Sequence, residues 1–234
     1  MLRDHYAAAV QLVFVRHAQP EWFKDGAAVD DPGLTDVGRA QARHLGRRFR
    51  AEPADLLLVS PTQRSRETAV PIAEALGIEP QVHDWLHEIK SPAWNGAPME
   101  HVQAIFEAHR DKPIDDHWEG LDGGESFRDF HRRVTHGLQE FLETEDNARV
   151  HDDPAIWRLV HPDRRVIIVA HGGTNASLIG YLLGITPTPW EWERFVSFHA
   201  SVSNVVPIQV SGNHAYSLFQ LSDVSHLPPG IQTR

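Results

Sequence analysis

The 234-residue sequence contains no cysteine. Disulfide staples, thiolate nucleophiles and thiolate metal sites are excluded together. Long apolar runs are missing too, since nothing approaches the roughly 18 residues needed to span a bilayer. The first ten residues, MLRDHYAAAV, carry Asp4 and His5 and make a poor signal peptide. A chain without cysteine fits a reducing compartment, so a cytoplasmic location is the default expectation. Positive charge is also scarce: 22 Lys and Arg against 32 Asp and Glu leave a formal net charge of −10. General affinity for nucleic acid or an anionic membrane is therefore not expected. An anionic substrate would need a local cluster of cations within an acidic protein. Internal repeats, low-complexity tracts and long linkers are absent as well.

What remains is an ordinary globular composition, 41% hydrophobic and 23% charged, in a length suited to one α/β domain over residues 1–234. Gln11–Arg16, Asp55–Ser60 and Arg165–Ala170 are short, apolar and β-branched, and read as buried strands. Helices are expected over Thr35–Arg50 with Thr35 as N-cap, Thr62–Leu76 closed by Gly77, Pro98–Arg110, and Thr174–Leu183. Glu125–Leu142 is the clearest of them, with Phe127, Phe130, Val134, Leu138 and Phe141 at steps of three and four. Ser203–Val210 and His214–Gln220 flank Ser211, Gly212 and Asn213 and read as a hairpin. The polar, proline-containing stretch 146–163, which carries Trp157, reads as a loop insertion. Strands alternating with helices predict an α/β fold with a mostly parallel sheet and an antiparallel edge.

Each buried strand runs into chemistry. The first leads to Arg16 and His17, the second to Ser60 with Arg64 and Arg66 close behind, and the third to His171, Gly172 and Gly173. In an open α/β sheet, ligands bind outside the carboxyl ends of the strands. Taken singly, each of these residues would be read as a solvated or capping side chain. Taken jointly, parallel strands bring Arg16, His17, Arg64 and His171 to one rim. Guanidinium forks there could hold an anion bidentately, helped by the N–H groups of a helix beginning near Gly172. Such a pocket suits phosphate.

These residues resemble the histidine phosphatase (phosphoglycerate-mutase-like) superfamily. Arg16-His17-Ala18 resembles its Arg-His-Gly signature, and Ser60-Pro61-Thr62-x-Arg64-Ser65 its second motif, which carries a phosphate-binding arginine. Leu34-Thr35-x-x-Gly38 resembles the start of its first helix. Leu86-His87-Glu88, Gly123-Gly124-Glu125-Ser126 and Val169-Ala170-His171-Gly172-Gly173 complete the series in order. The chain departs from the family at Ala18, where glycine is usual, and at Pro20 and Phe23, where a small hydroxyl residue and a phosphate-contacting asparagine are usual. The resemblance implies a three-layer αβα sandwich, a phosphohistidine intermediate, and no metal or cofactor. It implies His17, Glu88 and His171 as catalytic residues and Arg16, Arg64 and Gly172 as substrate-binding ones. The second histidine is followed by Gly172 rather than aspartate, so the sequence is similar to the glutamate-using branch.

On this reading a neutral His17 attacks phosphorus, and neighbouring guanidiniums keep the imidazole unprotonated. Arg16, Arg64 and His171 balance charge in flight. Glu88 protonates the leaving alcohol and then activates water. Arg66 is expected at the surface. His83, His87 and Glu88 invite a metal reading, but spacing alone makes coincidence the better account. Trp94 and Trp118 are candidates to roof the pocket and favour an ester with an apolar or aromatic part. The expected activity is that of a phosphomonoester hydrolase acting on a small molecule or a phosphoprotein. The alternatives are a phosphoglycerate-type mutase, which lacks here the family's Glu-Arg-x-Tyr-Gly after the acid, and a non-catalytic phospho-ligand binding module.

Overall fold

β1 (Gln11–Arg16) alternates its side chains between two cores. Leu12 and Phe14 face one cluster, while Val13 and Val15 face the other. A strand packed on both faces must be apolar throughout, and this makes such segments legible as sequence. The computed structural model describes residues 11–145, 147–152, 155–160 and 164–234. The N-terminal segment weighed as a signal peptide lies outside the described residues.

Along the chain, β1 is followed by the small hairpin β2 (Phe23–Lys24) and β3 (Ala27–Ala28), and then by α1 (Asp36–Phe49). Next come β4 (Leu56–Val59), α2 (Gln63–Leu76), β5 (Gln81–Val82), α3 (Met99–Arg110) and α4 (Phe127–Thr144). β6 (Ala148–His151), β7 (Ile156–Arg158), β8 (Arg165–Ala170) and α5 (Gly172–Leu182) follow. α6 (Glu191–Arg194), β9 (Val202–Val210) and β10 (Asn213–Asp223) complete the fold.

The main sheet has the order β5-β4-β8-β1-β9-β10-β7-β6. β5, β4, β8 and β1 run parallel, and from β1 onward the pairs are antiparallel. α1 and α2 cover one face through Leu45, Phe49 and Ile72. α4 and α5 cover the other through Phe130, Val134, Leu138, Leu178 and Leu182. The result is the expected αβα sandwich. No helix among the described residues is long and apolar enough to cross a membrane.

Local chemistry sets the helix ends. Thr35 accepts from the Gly38 N–H and caps α1 as expected, and Ser126 accepts from the Asp129 N–H, starting α4 at the first residue of its apolar pattern, two after the expected Glu125. Gly77 closes α2 with φ 69°, a conformation cheapest for glycine. The β9–β10 turn puts Ser211 and Gly212 at φ 48° and 79°, a two-residue turn whose twist matches its strands.

Stretch 146–163 differs from the expected irregular loop. Its described residues include β6 and β7, which pair with each other and, through Trp157 opposite His214, with β10. Trp157 is fully buried between Tyr181 and Tyr216, with ring centroids 5.8 Å away in each case. Burial of one large indole holds a polar segment on the sheet that its composition alone would leave in solvent.

Candidate active site

The parallel register sets Arg16 opposite Ala170, so the two histidines that follow emerge side by side. The His17 N–H donates to Ala170 O at 2.9 Å, and its own carbonyl accepts from the Ala200 N–H at 3.2 Å. The rings of His17 and His171 lie 5.1 Å apart. Both are almost wholly buried. His17 Nδ1 sits 2.9 Å from the Ala18 carbonyl, an acceptor with no proton to give. The ring proton therefore belongs on Nδ1, and Nε2 keeps its lone pair. Burial, then the charges of Arg64 and Arg16, hold the His17 pKa well below its ordinary value. Burial followed by Arg64 does the same to His171.

Arg64 reaches the rim from the first turn of α2 and is 4% exposed, whereas Arg66, two positions on, faces solvent as expected. The Arg64 guanidinium lies over the Trp22 ring, 4.6 Å from its centre, and 3.5 Å from Asp31, whose carboxylate also accepts from the Gln63 N–H. Arg16 donates to Ser197 O at 2.6 Å. The Nε atoms of Arg16 and Arg64 and the Nδ1 atom of His171 are all buried without a hydrogen-bond partner among the described residues. Buried donors are rarely left so, and two arginine N–H groups beside an imidazole nitrogen able to carry a proton, on side chains lining one cavity, point to an anionic ligand.

Glu88 lies on the same cavity, after a short helical turn at Asp84–Leu86. Its carboxylate accepts from the Gly173 N–H at 2.9 Å and the Thr174 N–H at 3.1 Å, at the N-terminus of α5. This cap explains why α5 begins at Gly172, two residues earlier than expected. It also means that the N–H groups of Gly173 and Thr174 serve Glu88. Gly172 lines the cavity, where a Cβ would stand 3.7 Å from Arg16 Nε. A Cβ on Gly173 would fall 2.6 Å from Glu88 Oε1, so only glycine permits the carboxylate this close.

The Glu88 segment is held from α4. Arg133 pairs with both oxygens of Glu125 at 2.7 and 2.9 Å, and also donates to the carbonyls of Trp85, His87 and Glu88. His83 packs on Trp85 and Phe141 while the His87 ring faces His171, so the two imidazoles have different neighbours.

The cavity encloses about 690 Å³. The two tryptophans expected to roof it do not line it: Trp94 packs edge-on against Phe106, and Trp118 against Phe127 beneath Arg128. Trp22, Trp190 and Trp192 line it instead. The sequence reading also missed Lys90, Arg110 and Arg234 in the wall, and His199 beside the nucleophile, with ring centroids 5.8 Å apart. None of these sits in a short motif, and only Trp22, five residues beyond His17, has a position that could have signalled it.

The model of the histidine phosphatase superfamily (branch 1) matches residues 12–214. A putative phosphoserine phosphatase 2 of Hydrogenobacter thermophilus is 28% identical over 92% of the chain and 97% of its own length. Phosphoserine phosphatase 1 of the same organism is 30% identical over 75% of the chain and 77% of its own length. A mycobacterial glucosyl-3-phosphoglycerate phosphatase, solved with inorganic phosphate, superimposes with a TM-score of 0.70 over 94% of the chain and 100% of its own. At 24% identity, that likeness concerns the fold.

Proposed function

The chain belongs to the histidine phosphatase superfamily (branch 1), and on that premise we propose that it hydrolyses phosphomonoesters of small molecules with His17 as the phosphoryl carrier. The observation that carries this reading is the set of unpartnered buried donors on Arg16, Arg64 and His171 around an imidazole whose Nε2 lone pair is free.

In the first step the His17 Nε2–P bond forms as the ester P–O bond breaks. Arg16 and Arg64 hold the phosphoryl oxygens and balance their charge. His171 donates through Nδ1, in the tautomer where the Ser60 hydroxyl 2.7 Å away donates to Nε2. The departing oxygen takes a proton from Glu88. Water then attacks phosphorus, gives its proton to Glu88, and the Nε2–P bond breaks to release phosphate. The low pKa of His17 suits it to attack, because no proton must first be removed.

The named activities of the relatives support a small phosphate ester, and a cavity of about 690 Å³ is large enough for one with a sizeable alcohol part. The test is chemical. The chain, quenched during turnover of p-nitrophenyl phosphate, should carry an acid-labile, alkali-stable phosphoryl group that His17→Ala lacks. Turnover without that label, or a label surviving His17→Ala, would overturn the proposal. Release of inorganic phosphate without a bisphosphate primer separates hydrolysis from mutase chemistry.

A further inference from the structure

After β10 the chain returns to the cavity and is pinned there from two sides. Gln41 on α1 donates through Nε2 to Ile231 O at 2.7 Å and to Thr233 Oγ1 at 2.9 Å. The Gln41 carbonyl oxygen accepts from the Gln19 N–H, two residues beyond the nucleophile. From the other side, the His199 N–H donates to Thr233 O at 2.9 Å, and His199 Nδ1 meets Thr233 Oγ1 at 2.9 Å. Four hydrogen bonds to Ile231 and Thr233 leave little freedom in where residue 234 emerges. It emerges in the cavity lining, close enough for its charge to act on Arg16.

The charges around this cavity do not balance. Arg16 and Arg64 belong to the phosphoryl clamp. Beyond them, Lys90, Arg110 and Arg234 add three more cations to the lining. Of the three side-chain carboxylates there, Glu88 caps α5 and Glu125 is committed to Arg133. Only Glu193 faces Arg234, through one contact of 3.3 Å between side chains that are both more than half exposed. An exposed pair of that kind is weak and readily exchanged for a ligand. Lys90 and Arg110 have no ion pair with a described carboxylate. The excess cations suit a ligand with a second negative charge away from the phosphoryl group. Arg234 is the one already engaged with a carboxylate, through a contact that a ligand can replace, and it follows directly on the pinned Thr233.

We propose that Arg234 is a specificity-determining residue that recognises a carboxylate on the alcohol part of the substrate. This rests on the hydrolase reading above and specifies its substrate class as phosphorylated organic acids. A planar fork held by a pinned backbone can meet a carboxylate bidentately. The Glu193 carboxylate occupies Arg234 until substrate arrives.

O-phosphoserine and O-phosphoethanolamine differ only by the carboxylate, so the ratio of their kcat/KM values isolates its recognition. The wild-type ratio should favour phosphoserine. Arg234→Ala should lower the ratio about tenfold or more, the usual worth of one charge-assisted contact. Arg234→Lys should restore part of it, and Glu193→Gln should raise it by freeing the guanidinium. A wild-type ratio near one, a ratio unmoved by Arg234→Ala, or turnover of p-nitrophenyl phosphate with neither alkyl ester accepted would each overturn the proposal. Failure to turn over any of the three esters would instead sink the hydrolase reading.

Discussion

His199→Asn tests the electrostatics on which the neutral nucleophile depends. His199 is 5% exposed, bonded to Thr233 through Nδ1, and has its Nε2 buried without a partner among the described residues. Burial, and then the charge of Arg16, lower its pKa to about 3. In the unfolded chain the same imidazole titrates near 6.5. Between these values the unfolded state binds a proton that the folded state does not. The stabilisation is thus complete above about pH 6.5 and is lost progressively as pH falls toward about 3. From about pH 7.5 to about pH 5 the loss is about 2 kcal/mol, at about 1.4 kcal/mol per unit over the last unit and a half. At about pH 5 the folded imidazole is still neutral, so the unfolded value alone sets that figure. Asparagine keeps a polar group toward Thr233 and removes the titration. Urea unfolding at a series of pH values should give a variant whose stability declines less on acidification, by about 2 kcal/mol at about pH 5. His17 and His171 titrate in both proteins and cancel in the comparison. Parallel curves would mean that the cavity wall tolerates an imidazolium. The argument for an uncharged His17, built on comparable burial and in part on the same Arg16, would be weakened with it.

Two substitutions probe the site's support. Gly173→Ala places a methyl 2.6 Å from Glu88 Oε1 and 3.2 Å from Trp192, so the carboxylate must leave the α5 terminus. Turnover of an alkyl phosphate should fall about a hundredfold, as for a misplaced catalytic group, and p-nitrophenyl phosphate, whose leaving group needs no proton, should lose much less. Equal losses on the two esters would count against Glu88 as the acid. Trp157→Ala empties the fully buried indole site at β7. It should cost about 3–5 kcal/mol in urea unfolding, and a loss below about 1 kcal/mol would refute the anchoring role given to that residue.

The fold was legible where burial is symmetrical. β1, β4 and β8 are packed on both faces, so their composition alone marks them, and the polar residues that follow them were found at one rim. Legibility failed where a distant partner decides the outcome. Two glycines argue against helix, yet α5 begins at Gly172 because a carboxylate 85 residues earlier in the chain satisfies the Gly173 N–H. β6 and β7 look like solvent-exposed chain until Trp157 finds Tyr181 and Tyr216. Among the tryptophans, exposure in a loop gave no indication of direction. Trp94 and Trp118 turn to their own phenylalanines, and Trp22 takes its place over Arg64. His199 and Arg234 carry no local pattern, and both owe their positions to hydrogen bonds made around Thr233.

β1 is hydrogen-bonded to β8 on one side and β9 on the other, with alternate residues committed to separate cores. Its length therefore acts as a ruler. Deleting a single residue anywhere between Leu12 and Val15 would force a choice. Either Phe14 and its neighbours exchange cores, or the pairing stays and the end of the strand is drawn inward by about 3.3 Å. Both options withdraw the imidazole from the guanidiniums it must meet. Insertions and deletions are thus far more damaging in this six-residue strand than in an exposed turn such as the one at Ser211 and Gly212.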